Sequence, residues 1–176
     1  MHHKKVYFVD FNTKTVQEIR ENIAKLNKKH DALLLRQTVA KNIPIARKIL
    51  RENKSFCTIS HFKNRAKSNI THFASATQKQ GFSTNSISFH SIHDLPRLRK
   101  FRPKMVFLSP VFSTKTHPNA KPLGKIQTFK LAFEIKKHLP QCEIYLLGGM
   151  TESRFLCIKN LDFTRLFSGY GFIRGR

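Results

Sequence analysis

Short apolar runs rich in β-branched and aromatic residues recur along the chain, separated by polar segments. Several of them, such as VYFVDF and MVFLSPV, are almost continuously apolar and do not alternate with polar positions. Continuous runs are typical of strands covered on both faces, as in a parallel sheet. The pattern predicts eight strands, over residues 6–11, 32–36, 55–60, 70–75, 86–91, 105–111, 143–149 and 165–171.

Between these runs the apolar spacing changes to three and four residues, which indicates helices with one apolar face. Thr15 and Glu18 form a capping box for the first helix, Pro44 suits the first turn of a second, and Thr151 can cap the last. The apolar positions of the four predicted helices are, in order, Val16, Ile19, Ile23 and Leu26; Ile45, Ile49 and Leu50; Ile126, Phe129, Phe133 and Leu139; and Phe155 and Ile158.

Repeated strand and helix units predict right-handed βαβ connections and a parallel sheet. With eight strands we expect one domain over residues 1–176, folded as a shortened (β/α)8 TIM barrel. Residues 61–68 and 78–81 leave room only for reduced helices 3 and 4, and residues 172–176 leave no room for helix 8. An open doubly wound sheet is the alternative, because its alternation of elements looks the same.

Thin coverage of the barrel would leave apolar strand surface exposed, and exposed apolar surface favours association. We therefore expect that the chain could form a homodimer, which light scattering can test.

The net charge of the chain indicates the kind of partner that it binds. The chain has 33 Lys and Arg against 10 Asp and Glu, a formal net charge of +23. This favours an anionic partner such as a small phosphorylated substrate. The basic residues are spread along the whole sequence without an arginine-rich tail, so we expect nucleic acid not to be the main partner.

Three widely spaced cysteines without a CxxC pair argue against a disulfide scaffold or a zinc site and are typical of core residues in a reducing compartment. No apolar run approaches about 18 residues, and the N-terminal residues lead directly into a strand pattern. We expect a cytoplasmic protein with no membrane partner.

The loops after the strands of such a barrel carry its functional groups. The loop after strand 6 contains Ser109, Thr114, Lys115 and His117, a set of donors larger than a plain connection requires. Glycines let a backbone approach a ligand closely. Gly148 and Gly149 after strand 7, with Ser168 and Gly169 in strand 8, are therefore candidates for a phosphate site.

Two further residues are candidates for substrate binding. Arg36 ends strand 2 and can meet an anion with two parallel hydrogen bonds. His90 lies in strand 5, where it can point into the barrel mouth or serve as a structural histidine. Its spacing to His93 does not predict a metal pair, because the two histidines straddle the predicted strand end and no carboxylate cluster accompanies them.

Six motifs in order resemble the thiamine phosphate synthases and the related thiazole tautomerases. They are ALLLR, THF, FHSIHDL, LSPVFSTKTHPNAKPLG, YLLGGMT and FSGYGFI, and short alphaproteobacterial-type members look most similar. The resemblance implies a (β/α)8 barrel that joins a pyrimidine pyrophosphate to thiazole phosphate. It also implies that Gly148, Gly149, Ser168 and Gly169 hold the thiazole phosphate, and that Arg36, Ser109, Thr114 and Lys115 face the pyrophosphate.

The chain departs from the family pattern at the metal site. Thr38 stands where synthases have a lysine, and the segments SHFKN and HFASAT lack the family's magnesium carboxylates, so no metal ligand is predicted. Lys63, Arg65 and Lys115 could replace the metal's charge, or only the thiazole-phosphate half of the site functions.

The tautomerase branch has its catalytic histidine where this chain has Pro110, so His117 would have to serve as acid and base. Three functions stay open: a synthase-like transferase, a tautomerase, and a catalytically silent protein that binds a phosphate ligand or RNA.

Overall fold

The computed structural model describes residues 4–11, 14–27, 29, 31–35, 42–53, 57–60, 70–73, 86–114 and 118–173, with β3 and β4 described by their backbone. All eight predicted strands are present. They are β1 (Lys4–Val9), β2 (Ala32–Leu35), β3 (Cys57–Ser60), β4 (Ile70–Phe73), β5 (Ser86–Phe89), β6 (Met105–Leu108), β7 (Glu143–Leu146) and β8 (Phe167–Phe172).

The strands close into a barrel in chain order, and every neighbouring pair is parallel. Closure is made by β1 and β8, where Lys4 is the partner of Gly169 and Tyr7 is the partner of Phe172. This pairing excludes the open doubly wound sheet. The segments between β3 and β5, where helices 3 and 4 are predicted to be reduced, lie outside the described residues, as do residues 174–176 beyond β8.

Five α-helices lie between the described strands: α1 (Val16–Ala24), α2 (Ile43–Glu52), α3 (Leu95–Phe101), α4 (Gly124–His138) and α5 (Glu152–Lys159). The capping box of α1 is confirmed, since the Glu18 amide donates to Thr15 Oγ1 at 3.2 Å and the Thr15 amide donates to the Glu18 carboxylate at 2.8 Å. The Thr151 cap of α5 is confirmed as well, with the Arg154 amide 3.3 Å from Thr151 Oγ1.

Helix α4 exists as predicted, and of its predicted apolar positions Leu139 is buried and Phe129 packs against the core, but the other two are wrong. Ile126 is 75% exposed and Phe133 is 51% exposed. The buried face consists of Thr128, Leu131, Ala132 and Ile135. Two of these four are small, and small residues at a contact allow a helix to lie close to the sheet.

Helix α3, which follows a 3-10 turn at Ile92–Asp94, was not anticipated from the sequence. Only Leu98 is buried among its seven residues, so its apolar pattern is weak. In α2, Ile49 is buried as an apolar helix position should be, whereas Ile45 is 39% exposed.

Alternate residues of β1 supply two layers of core. Val6 and Phe8 belong to a cluster with Phe107 and Tyr145 inside the barrel, where the Phe8 and Phe107 rings meet edge to face at 5.3 Å. Tyr7 and Val9 pack outward against α1.

The cysteines divide between core and surface. Cys142 is buried as expected, whereas Cys157 is exposed, which corrects the expectation that all three lie in the core. Across the described part of the chain, each helix is too short or too polar to span a bilayer.

Candidate active site at the carboxyl end of the barrel

The long loop after β6 is fastened to the end of β7. The amide of Val111 donates to the Leu147 carbonyl at 2.9 Å, and the amide of Phe112 donates to the Gly148 carbonyl at 3.1 Å. The far end of the loop returns to the same place, because the Gly124 amide donates to the Val111 carbonyl at 3.0 Å. These bonds join the two ends of the loop into a closed stem at the barrel rim.

The glycine pair after β7 makes room for this stem. Gly148 has φ +90° and Gly149 has φ +60°, a backbone region that side chains disfavour. A Cβ at Gly148 would lie 2.7 Å from Pro110 Cα, and one at Gly149 would lie 2.5 Å from the Ser113 carbonyl oxygen. Both positions therefore need glycine for conformation and for space.

Arg154 fastens the glycine turn to the β6 loop from the side. Its Nη1 donates to the Gly149 carbonyl oxygen at 2.5 Å, and its guanidinium lies 4.8 Å from the centre of the Phe112 ring. This residue was missed from the sequence, although its place three residues after the Thr151 cap was visible. The first-turn amides of a helix have few partners within the helix, so α5 adds hydrogen-bond donors beside this turn.

His90 and Ser109, predicted separately, lie together at the ends of β5 and β6. His90 Nδ1 is 2.8 Å from the Ser109 carbonyl oxygen and 3.3 Å from Ser109 Oγ. Because a carbonyl oxygen only accepts, Nδ1 must carry the proton in this contact. In the neutral ring this leaves a lone pair on Nε2, and the exposed ring can present it to a ligand.

Asp94 holds the backbone under His90. One carboxylate oxygen accepts the His90 amide at 2.7 Å and the Ser91 amide at 3.3 Å, and the other lies 3.4 Å from Arg97 Nη2. Arg97 also donates to the Ser88 carbonyl oxygen. The position of His90 is therefore set by a chain of charged and backbone contacts.

Of the other predicted site residues, the structure describes only some. Arg36, Lys115 and His117 lie outside the described residues, whereas Thr114 is described and half-buried.

Ser168 and Gly169 are not at the rim. Gly169 pairs with Lys4 at the amino end of β1 and with Tyr145 in β7, so the predicted phosphate turn of β8 needs correction. The strand continues to Phe172, and a Cβ at Gly171 would lie 3.1 Å from Leu147, which makes Gly171 the β8 glycine nearer the rim.

The residues at the rim do not fit a magnesium ion. Mg²⁺ prefers carboxylate oxygens and water in octahedral geometry. The sequence has no Asp or Glu from residue 57 to residue 93, which covers the loops after β3 and β4. Asp94 is already engaged by two amides and Arg97. Among the described residues, His, Cys, Asp and Glu form no group of three or more that could hold a metal.

Comparison with known proteins gives one partial sequence match and a fold match. No family model matches the chain. A protein of Aquifex aeolicus (strain VF5) named "Putative thiamine-phosphate synthase 2" is 36% identical over 74 residues, a segment that covers 42% of this chain and only 37% of that protein. The solved structure of thiamine phosphate pyrophosphorylase from Pyrococcus furiosus superposes with a TM-score of 0.68 over 97% of this chain and 85% of that one, at 13% identity.

At 13% identity the superposition carries the fold, and the partial match carries the sequence relationship. The 74-residue match is a sequence similarity to a protein named as a thiamine-phosphate synthase, and it covers less than half of this chain.

Proposed function

We propose that the chain is a thiamine phosphate synthase-like protein on a shortened (β/α)8 barrel, and that it binds thiazole phosphate at the carboxyl rim. The observation that carries the proposal is the interlock between the β6 loop and the Gly148-Gly149 turn. It brings a hydroxyl, a backbone turn that only glycine can form and a helix start to one place. These are the groups that a phosphate ester needs from a protein.

Each group has a role in binding. The turn at Gly149 and the start of α5 supply backbone donors for the phosphate oxygens. Ser109 is buried, and its Oγ lies 3.3 Å from His90 Nδ1, whose proton is donated to the Ser109 carbonyl oxygen; the hydroxyl can therefore donate its own proton to the ligand. The half-buried Thr114 belongs to the same loop. The loop would hold the heterocycle over the barrel mouth and exclude water from it.

The transferase reaction sets a second requirement. A pyrophosphate leaves the pyrimidine methyl carbon, and the thiazole nitrogen attacks that carbon, so the protein must stabilise a departing anion and align the nucleophile. Because the carboxylates do not fit magnesium, we propose that Lys63, Arg65 and Lys115 supply the positive charge; all three lie outside the described residues. If these three residues do not supply the charge, only the half of the site that binds thiazole phosphate is functional.

Isothermal calorimetry tests the proposal directly. The chain is titrated with thiazole phosphate, and then with the pyrimidine pyrophosphate in EDTA. Binding of both, with product formed in EDTA, supports a transferase that uses protein cations. Binding of the first ligand alone supports the half-site. If thiazole phosphate does not bind, or if Ser109→Ala binds it as well as the parent chain, the assignment of this site is wrong.

Proton transfer on thiazole phosphate is a second candidate function. His90 Nδ1 donates its proton to the Ser109 carbonyl oxygen, so Nε2 of the neutral ring carries a lone pair that can accept a proton. Here His90 would take the part first expected of His117. Exchange of ligand protons in deuterium oxide, followed by NMR, tests it. Exchange should be lost in His90→Asn, whose amide can still donate to Ser109; undiminished exchange in that variant would remove His90 from this role.

A further inference from the structure

One group of basic residues that are far apart in sequence lies at the same end of the molecule. Every connection from a helix to the next strand enters the barrel at the amino ends of the strands, opposite the candidate active site. Exposed lysine or arginine residues lie at this end in the last turns of α2 and α4 and in the described parts of the connections that follow α1, α3 and α5. We call the following residues the basic face: Lys29, Arg51, Arg102, Lys104, Lys137 and Arg165.

The acidic residues at this end are engaged and do not offset the basic face. Asp31 is buried and accepts the amides of Lys5 and Asn27, both at 2.9 Å. Glu143 forms an ion pair with Lys4 at 2.6 Å. The surface that remains at the amino end is therefore positive, and it attracts polyanions.

Two arginines of the basic face occupy costly backbone positions. Arg102 has φ 42° at the end of α3, and Arg165 has φ 54° in the turn before β8. Glycine or asparagine usually fills such left-handed positions at lower cost. An arginine at both places, where glycine would cost less, points to a role for its side chain, and a guanidinium suits a phosphate diester.

An exposed aromatic residue, Phe163, precedes Arg165 by two residues in the same turn. Phe163 is 89% exposed, the highest value among the exposed large apolar residues of the described chain. The turn that carries it is fixed by the buried Asp162, whose two carboxylate oxygens accept the amides of Leu166 at 2.9 Å and Phe167 at 3.0 Å. This turn therefore carries an exposed ring and an exposed arginine two residues apart, and a ring that stacks with a cation that holds the backbone is the combination that binds an unpaired base.

We propose that the amino-terminal face of the barrel binds single-stranded nucleic acid, with Phe163 stacking on a base and the basic face contacting the phosphates. The early expectation against nucleic acid rested on the spread of charge in sequence, and the topology removes that objection. An acidic membrane would also attract the charge. However, this face offers only a local apolar projection, Phe163 with the 51% exposed Leu161, and a stable bilayer anchor needs a larger apolar area.

The test uses the 176-residue chain and a fluorescein-labelled oligouridylate of about 20 nucleotides, with anisotropy measured from about 50 to about 200 mM NaCl. Phe163→Ala is expected to weaken binding about tenfold with the salt slope unchanged, and Phe163→Tyr is expected to restore it. Arg102→Gly with Arg165→Gly should weaken binding and lower the logarithmic salt slope by about 0.7 for each phosphate that the variant no longer neutralises. Glycine suits both backbone positions, so this variant should fold.

A matched control removes two charges from the opposite end, Lys14→Gln with Lys125→Gln, and should bind the oligonucleotide nearly as well as the parent chain. Equal losses of affinity in the control and the arginine variant would overturn the proposal, because binding would then follow net charge alone. Unchanged binding in Phe163→Ala would also overturn it. The proposal would also be overturned if the chain sedimented with phosphatidylserine vesicles but did not bind the oligonucleotide, and if the arginine variant no longer sedimented with the vesicles. Thiazole phosphate binding, measured in the same variants, stays independent of all these outcomes.

Discussion

Replacement of Gly148 by alanine probes the interlock on which the proposed site depends. The residue has φ +90°, and the added Cβ would lie 2.7 Å from Pro110 Cα and 2.8 Å from Pro110 Cβ. The left-handed backbone costs about 1–2 kcal/mol for a side chain. Overpacking against the backbone adds about 1–3 kcal/mol. The free energy of unfolding should therefore fall by about 2–5 kcal/mol, since Pro110 belongs to the loop stem and must move.

Gly124→Ala is a matched control for the conformational part. Gly124 has φ +67°, but its added Cβ would meet nothing within 4 Å. We expect this variant to lose only the backbone cost, about 1–2 kcal/mol. The difference between the two variants isolates the packing of the glycine turn against the β6 loop.

Urea denaturation and calorimetry with thiazole phosphate measure the two effects. Gly148→Ala should weaken binding at least about tenfold, which corresponds to about 1.4 kcal/mol, whereas Gly124→Ala should leave it nearly unchanged. Equal stabilities and equal affinities in the two variants would refute the reasoning, because the contact with Pro110 would then carry neither stability nor binding.

Three further predictions concern single side chains. His90→Asn should retain the stability of the parent chain within about 0.5 kcal/mol, because its amide can donate to the Ser109 carbonyl; a larger loss in thermal or urea denaturation would contradict this. Thr15→Ala should cost about 1 kcal/mol of stability near neutral pH. The Thr15 backbone amide first, and then the Thr15 hydroxyl, lower the pKa of the Glu18 carboxyl; the variant loses only the hydroxyl, so its cost should fall in acid by the hydroxyl's share alone, which urea titrations can measure. Burial raises the pKa of Tyr7 from 10.0 to about 12, so the unfolded chain loses this proton first and the stability contributed by Tyr7 falls as the pH rises from 10 to 12. Urea titrations should show a smaller alkaline loss for Tyr7→Phe, and equal losses would exclude this ionisation as the cause.

The order of elements could be predicted from the sequence because local chemistry determines it. The capping box at Thr15 and the proline at the start of α2 depend on neighbouring residues alone. The near-continuous apolar strands required covering on both faces, and this indicated a parallel sheet before any pairing was known.

The incorrect predictions concern features that tertiary packing determines. Ile126 and Phe133 are bulky and apolar, yet they lie outside the buried face of α4, which combines Leu131 and Ile135 with the smaller Thr128 and Ala132. Ser168-Gly169 resembles a phosphate turn in sequence, but its height in the barrel depends on the register of β8 against β1 and on an irregularity between Ile144 and Tyr145. Neither the side of a helix that meets the barrel nor a strand register is encoded in a motif a few residues long.

The closed stem of the β6 loop has a consequence for how this protein can change. Since the hydrogen bonds of the stem are made by backbone groups of Val111, Phe112 and Gly124, substitution of side chains in the loop beyond Phe112 leaves these bonds in place. Lengthening a loop between fixed ends is inexpensive, about 0.6 kcal/mol for a doubling. Ligand preference can therefore diverge within this segment while the scaffold beneath it stays the same.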